Sequence, residues 1–421
     1  MNTVKNDTIK KTLKETRARR ENMLCRVYSV KIVLNKLSKE KKALLDQYFR
    51  EAKWLRNSEL AKGYDKMDRN AKIATVKIGA EYESRPLALL GSQVKQDIVD
   101  NLRSEIRGLS TKKSRGEKVG HLKYKSYCNS IPLRQYGTTY NINFENNTVS
   151  IQNMKKFPLK VRGLNQIPTD AEIANAKLVR KPSGFYLHIT TYTIPVKHEP
   201  TGAVCGIDFG IGHNLTLSDG AVLDIHFPET KGVKLASKRV NKSKHRNKNK
   251  KSNNHYRRVK KLQKAYERQS NQKINEANTL VSHLLNTYDF IAIQDEMIAN
   301  WHKGLFGKQV QHSAMGFIKA KLKTNSKTFV VDKSFPSTQI CPVCGLNTKH
   351  NLNEREYYCQ HCGYHHPSRD IKAANSILTE ALRIVSAERR TQSPVEIKPS
   401  IYDANSITDK ALSVKQEAQL L

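Results

Sequence analysis

"VCGIDFGIGHNLTLSDGAVLDI", residues 204–225, holds three short apolar runs joined by glycine-containing turns, and its reading decides the fold of the C-terminal half. Each run has the length of a strand, and glycine at the joints lets the backbone reverse sharply. Asp208 sits in the middle of the first run. Next comes a strongly basic stretch, 231–266, with fifteen Lys and Arg and no acid. Its early part, "SKRVNKSKHRNKNKKSNN", is low in complexity. "YRRVKKLQKAYERQSNQKINEANTLVSHLLNTY" then predicts a long helix with Leu262, Ala265, Ile274, Leu280 and Leu284 inward. A strand "DFIAIQ", a helix near 312–323, a strand "KTFVVD" and a helix from about Ser368 follow. The order βββ-α-β-α-β-α predicts helices packed on a mixed sheet.

Upstream the pattern is different. Residues 1–22 are basic without an apolar face, which predicts a flexible arm or a helix ordered only on RNA. "CRVYSVKIVL" (25–34) alternates like a strand, and 38–63 turns helical. In "GSQVKQDIVDNLRSEIRGL", Val94, Ile98, Leu102 and Ile106 recur every four residues behind Ser92 as a candidate N-cap. "TTYNINFENNTVSIQ" and "AKLVRKPSGFYLHITTY" each alternate on both sides of a turn, at Asn146-Asn147 and at Pro182-Ser183-Gly184. Two hairpins in a row predict a small barrel interrupted by a helical insert, and 195–203 is the expected linker.

Bulk properties bound the function. The 421 residues suffice for two or three domains. A net charge of +36 far exceeds the magnitude of about 2–8 that solubility requires, so a polyanionic partner is expected. No apolar run approaches the ~20 residues of a membrane helix, and the basic N-terminus has no apolar segment behind it. A cytoplasmic protein with no membrane partner is therefore expected. Of seven cysteines, Cys341, Cys344, Cys359 and Cys362 form two C-x-x-C knuckles, each followed by Gly. That spacing presents four thiolates to one Zn²⁺ in a closed, structural site rather than forming a disulfide framework. His361, His365 and His366 lie beside the knuckles but are not needed as ligands.

Three acidic positions stand at strand ends or at a helix start: Asp208, the cluster in "FIAIQDEMIANW" (290–301), and Asp370 in the first turn behind Ser368. Each alone has an ordinary reading in a turn or at a cap. Brought together on one sheet, carboxylates need cations, and hard oxygen ligands suit Mg²⁺ or Mn²⁺. Two such ions could clamp a phosphodiester for hydrolysis.

In this order, "GIDFGIGHNLTLSDG", "FIAIQDE", "STQICPVCG…YYCQHCGY" and "RDIKAANSIL" resemble TnpB, the RNA-guided nuclease family encoded by bacterial insertion sequences. They are also similar to the compact type V CRISPR effectors. "GEKVGHLKYKS" (116–126) looks like the family's N-terminal G-x-P-x-F-K-S segment. The likeness is specific over 204–383 and weaker before it. It implies an α+β multidomain chain: a basic N-terminal arm (1–24), then an N-terminal β-barrel (wedge) over 25–200 with a helical recognition insert at about 38–112. A C-terminal RNase H-like (RuvC) α/β domain over 201–336 and 364–389, an inserted zinc ribbon over 337–363 and a polar tail over 390–421 would follow. The implied activity is RNA-guided, metal-dependent DNA endonuclease cleavage at a single RuvC site, with Asp208 as first and Asp370 as last acid. The implied partners are a guide RNA and double-stranded DNA beside a short flanking motif. A monomer, on the bacterial nucleoid when DNA-bound, is expected.

Two departures stand out. The family usually places Asn two residues after the last acid, where this chain has Lys372, with Asn375 later. Its middle glutamate directly follows the strand as "E-D-L", where this chain has Gln294, and a neutral amide cannot replace a bridging carboxylate. Residues 294 and 296 share a face of an extended chain, so Glu296 is the candidate third acid; Asp295 points away if the strand continues, and a turn there would reverse this. The alternative is a guided DNA binder that represses transcription without cutting. A DNA-joining transposase fits the order of motifs less well, and a plain zinc-ribbon regulator leaves the Asp208 strand motif unexplained.

Overall fold

The computed structural model describes residues 2–154, 157–195, 200–245, 252–351 and 354–391. Residues 196–199 of the expected linker, 246–251 of the low-complexity stretch and 392–421 of the expected tail lie outside the described residues. The chain divides into two compact units, Met1–Val196 and Lys197–Leu421.

The first unit opens with α1 (Asn2–Glu21) and β1 (Leu24–Ile32), then α2 (Lys39–Lys62), the hairpin β2 (Ile73–Ile78) and β3 (Glu81–Pro86), and α3 (Ser92–Ser114). Six strands follow: β4 (Ser130–Leu133), β5 (Tyr140–Asn143), β6 (Thr148–Ile151), β7 (Leu159–Arg162), β8 (Glu172–Lys181) and β9 (Gly184–Thr193). Seven strands form one antiparallel, nearly closed, barrel-like sheet in the order β4-β8-β9-β1-β7-β6-β5. Period-two patterning makes it: Ala176, Leu178, Leu187 and Ile189 point inward while their sequence neighbours face out. Leu45, Tyr48, Phe49 and Leu55 of α2 and Val94, Val99 and Leu102 of α3 join the same core.

α1 is helical, and its end is held by Arg19 and Arg20, which pair with Glu172 at 2.5 and 2.6 Å, and by Arg20 over the Tyr192 ring. Two expectations need correction here. The insert is not all helical, because "IATVKI" and "EYESRP" pair as a hairpin turning at Gly79, whose φ is +63°. The N-cap of α3 is Gly91, not Ser92.

In the second unit, β10 (Val204–Phe209), β11 (Leu215–Leu217) and β12 (Val222–Leu223) are followed by α4 (Lys231–His245) and α5 (Asn253–Thr287). Part of the low-complexity stretch is thus helical. Then come β13 (Phe290–Gln294), α6 (Ile298–Trp301), α7 (Gly307–His312), α8 (Met315–Lys323), β14 (Thr328–Val331), the short pair β15 (Tyr357–Tyr358) and β16 (His365–His366), and α9 (Arg369–Thr391). The sheet order is β12-β11-β10-β13-β14, with β10–β13 and β13–β14 parallel and the hairpins antiparallel.

Alternation assigns its two faces. Cys205, Ile207, Phe209, Ile291 and Ile293 pack against Ala277, Val281 and Leu284 of α5 and Ile318 and Leu322 of α8. Ala292 and Val331 face the other way, onto Ile377, Leu378 and Ala381 of α9. A Cβ at Gly206 would collide with the Ala374 carbonyl, so glycine is what lets α9 lie directly on β10. The even-numbered side chains of β10 and β13, Asp208 and Gln294 among them, consequently face the layer in which α9 begins. Among the described residues no helix is long and apolar enough to cross a membrane.

Candidate catalytic and metal centres

Asp208 is 8 % exposed, in the middle of the sheet, and registers against Thr216 of β11. Burial pushes its carboxyl well above the ordinary range, the charges of Glu296 and Asp370 push it further, and Arg369 opposes them. Glu296 and Asp370 are thus each near enough to Asp208 to disfavour its charge. Asp370 enters from the first turn of α9, where Ser368 Oγ accepts from the Ile371 N–H at 3.3 Å and the helix start favours an anion.

Glu296 lies two residues beyond the end of β13. Its carboxyl is pushed up to about 7 by burial, with Lys319 opposing, and its Oε2 is buried without a hydrogen-bond partner. Lys319 Nζ fixes the local backbone by donating to the Glu296 carbonyl. Asp295 is turned elsewhere, paired with Lys319 at 3.3 Å and Lys323 at 2.9 Å on α8. The Lys323 and Lys319 ammonium groups hold its carboxyl below the usual range. Among the described residues the acids do not form a set whose oxygens all lie within 4.8 Å of one another, and the four cysteines do.

Gln294 does something sequence reasoning missed. It is 4 % exposed, and its amide is saturated. Nε2 donates to the carbonyls of Asp332 (3.2 Å), Lys333 (3.3 Å) and Phe335 (2.6 Å), and Oε1 accepts from Ser337 Oγ at 2.9 Å. A group with both donor and acceptor capacity is required there, since three carbonyl oxygens and one hydroxyl proton must be matched at once. The side chain pins the segment after β14, which leads into the cysteine module.

In that module Cys341 and Cys362 Sγ are 3.6 Å apart, as are Cys344 and Cys359, and none of the four is disulfide-bonded. The edge of a tetrahedron with metal–sulfur bonds of about 2.3 Å is about 3.8 Å, so the cluster suits one tetrahedral ion. Burial works against the Cys359 thiolate, but the N–H groups of Cys362 and His361 outweigh it and draw its pKa down. His361 and His365 make their hydrogen bonds to the Asn347 carbonyl and Glu356, away from the sulfur cluster. Lys372 is 1 % exposed. Its Nζ donates to the Ser337 carbonyl at 3.1 Å and lies 3.9 Å from the centre of the Tyr357 ring. Burial pulls its pKa down to about 8, against the Cys341 and Cys359 sulfurs.

On α5, Arg257, Arg258, Lys260, Lys261 and Lys264 line one open, exposed groove. In the first unit "LKYKS" is held in place by Asn57, whose amide bonds both the C=O and the N–H of Lys125 at 2.8 and 2.9 Å, while Tyr124 and Tyr127 remain exposed.

Two family models match the chain. One, OrfB_IS605, described as "Probable transposase", covers residues 187–303; the other, described as "Cas12f1-like, TNB domain", covers 313–377. The first includes Asp208 and Glu296, and the second includes the four cysteines and Asp370. A protein of Streptomyces pristinaespiralis named "Putative RNA-guided DNA endonuclease" is 28 % identical over 235 residues. The match takes in 53 % of this chain and 57 % of that protein, so the chain spans little more than half the length of its curated relative.

Proposed function

We propose, on the premise that this chain is TnpB-like, that it is an RNA-guided DNA endonuclease with one RuvC-type site formed by Asp208, Glu296 and Asp370. The observation that carries this reading is that Asp208, buried in mid-sheet, lies within electrostatic reach of Glu296 just beyond a strand end and of Asp370 at a helix start. A fold that keeps such acids adjacent holds them for a cation. The residues fit one: Asp208 and Glu296 have carboxyls pushed up by burial, and Glu296 Oε2 has no partner. Mg²⁺ or Mn²⁺ held by these three acids would polarise a phosphodiester and neutralise the charge that develops as it hydrolyses. Asp208 supplies the rigid ligand from mid-sheet, and Asp370 is aimed by the first turn of α9. Glu296 takes the position that Gln294 vacates, and Arg369 adds a positive charge beside Asp208 that suits a phosphate. The four-cysteine module is read as a zinc ribbon, structural because four sulfurs close the shell.

In this reading a guide RNA and the target DNA occupy basic surface, and base pairing supplies sequence recognition beside a flanking motif. The +36 charge and the basic face of α5 support it. Replacing Arg257, Arg258, Lys261 and Lys264 together by Ala should weaken RNA binding and flatten its salt dependence, by a slope of roughly 0.7 for each phosphate no longer neutralised. A slope equal to that of the wild type would remove α5 from the interface. The guided character is tested by purifying the protein from cells carrying its own genomic flanks and sequencing the RNA that stays bound. One RNA with a fixed scaffold and a variable end is expected, and recovery of random fragments would refute guidance.

The acid cluster also sets a pH dependence. The folded chain keeps the Glu296 proton to about pH 7, whereas the unfolded chain gives up the same proton at about 4.5. Without added Mg²⁺, the stability this group contributes is present below pH 4.5 and lost as pH rises through 7, by up to about 3 kcal/mol. Melting curves should therefore show wild type losing stability across this window relative to Glu296→Gln, with Mg²⁺ restoring it at pH 7.5. Parallel curves for the two proteins would contradict this.

A further inference from the structure

The two residues that depart from the family pattern meet at one serine. Gln294 accepts from Ser337 Oγ, and Lys372 donates to the Ser337 carbonyl. Ser337 stands at the entry to the cysteine module, and Lys372 stands two residues after Asp370 on the first turn of α9. The Lys372 ammonium thus joins the module to the helix start from the buried side, while the Arg369 N–H and guanidinium donate to the Arg355 and Asn351 carbonyls on the other. The ammonium is enclosed by a carbonyl at 3.1 Å and the face of Tyr357 at 3.9 Å, with the Cys341 and Cys359 sulfurs as the charges that favour it. Among the described residues no carboxylate pairs with it in an ion pair.

A buried ammonium needs negative charge close by. An empty module offers at most the one Cys359 thiolate that its N–H donors favour. Four thiolates around one divalent ion carry a net charge of −2, so a filled module offers more. The aromatic face adds attraction without a countercharge. An Asn at 372, as in the family pattern, could bond Ser337 but would not respond to the charge of the module.

We propose that Lys372 is a positioning residue: it is the countercharge of the metal-filled cysteine module, and through it filling the module fixes the first turn of α9 and hence Asp370. The proposal rests on the reading of the module as a zinc site. It makes this chain's active-site geometry depend on zinc occupancy, with Gln294 anchoring the same segment from the strand side.

The test uses the full-length protein loaded with Zn²⁺ and titrated with a chromophoric chelator at pH 7.5. Lys372→Met is expected to weaken zinc binding at least tenfold, and Lys372→Asn, a smaller polar variant that guards against misfolding of the first, should do the same. A second readout is hydrogen exchange of the amides of residues 371–376. Stripping zinc from the wild type should raise their exchange at least tenfold, whereas stripping it from either variant should change it little. A side chain that only fills space would lower the urea midpoint and leave zinc affinity and the exchange response at wild-type values, which would overturn the proposal alone. A wild type that holds no zinc would overturn the zinc reading and the proposal together.

Discussion

Glu296→Gln is expected to lower the DNA-cleavage rate of the guide-loaded protein by about a thousandfold or more, with guide and target binding within about threefold of wild type. The substitution keeps the size and removes only the charge. Glu296 is the residue that places a third carboxylate against Asp208, and its Oε2 has no protein partner to lose. Removing one ligand of a catalytic cation costs the charge stabilisation of the transition state, an effect of several kcal/mol. Asp295→Asn is the internal control. Its half-exposed carboxylate is engaged by the buried Lys319 and the exposed Lys323 and does not reach Asp208, so the rate should fall by less than about threefold. Single-turnover cleavage of matched DNA checks both, and equal losses at 295 and 296 would refute the assignment.

Gln294→Glu should destabilise the protein by about 3–5 kcal/mol and should not raise the cleavage rate, although it restores the residue that the family pattern carries. The Nε2 group faces the carbonyls of Asp332, Lys333 and Phe335. A carboxylate in its place has no proton to give and meets three oxygens in a buried site, which combines lost hydrogen bonds with an unpaired charge. At roughly 2–4 °C per kcal/mol the melting temperature should drop by about 10 °C. Gln294→Met, which loses the bonds but adds no charge, should cost less. A stable Gln294→Glu protein that cuts faster than wild type would mean that 294, not 296, holds the metal. The amide is thus best understood as a strut that holds the segment leading into the cysteine module.

Much of this was legible in the sequence, for identifiable reasons. Strands β10, β11 and β13 follow from local periodicity, because their apolar faces are buried against one continuous core. In helix α5 Leu284 is buried as expected, whereas Ile274, expected inward, is exposed and Ala277 and Val281 carry the packing. The four cysteines follow from spacing, because a knuckle is a local turn. The same-face relation of 294 and 296 is what a continuing pleat would give, but β13 ends at Gln294 and Glu296 lies beyond it. Other features depended on partners far along the chain. α1 is held by Glu172, about 150 residues away, and nothing in residues 1–22 announces that pairing. The β2–β3 hairpin has an outer face that is mostly exposed, with Ile73 and Tyr82 in solvent, so its alternation reads weakly. The roles of Gln294 and Lys372 depend on carbonyls of residues 332–337, which no spacing rule reaches.

The most direct measurement is cleavage itself. The wild-type protein with its co-purified RNA is incubated with linear double-stranded DNA carrying the sequence complementary to the guide's variable end, with and without Mg²⁺. Cutting is expected to require both Mg²⁺ and the complementary sequence, and Asp208→Asn, Glu296→Gln and Asp370→Asn should each abolish it. DNA that is bound tightly and specifically yet stays intact in Mg²⁺ and Mn²⁺ would contradict it, and would leave a guided binder whose middle acid was lost with Gln294.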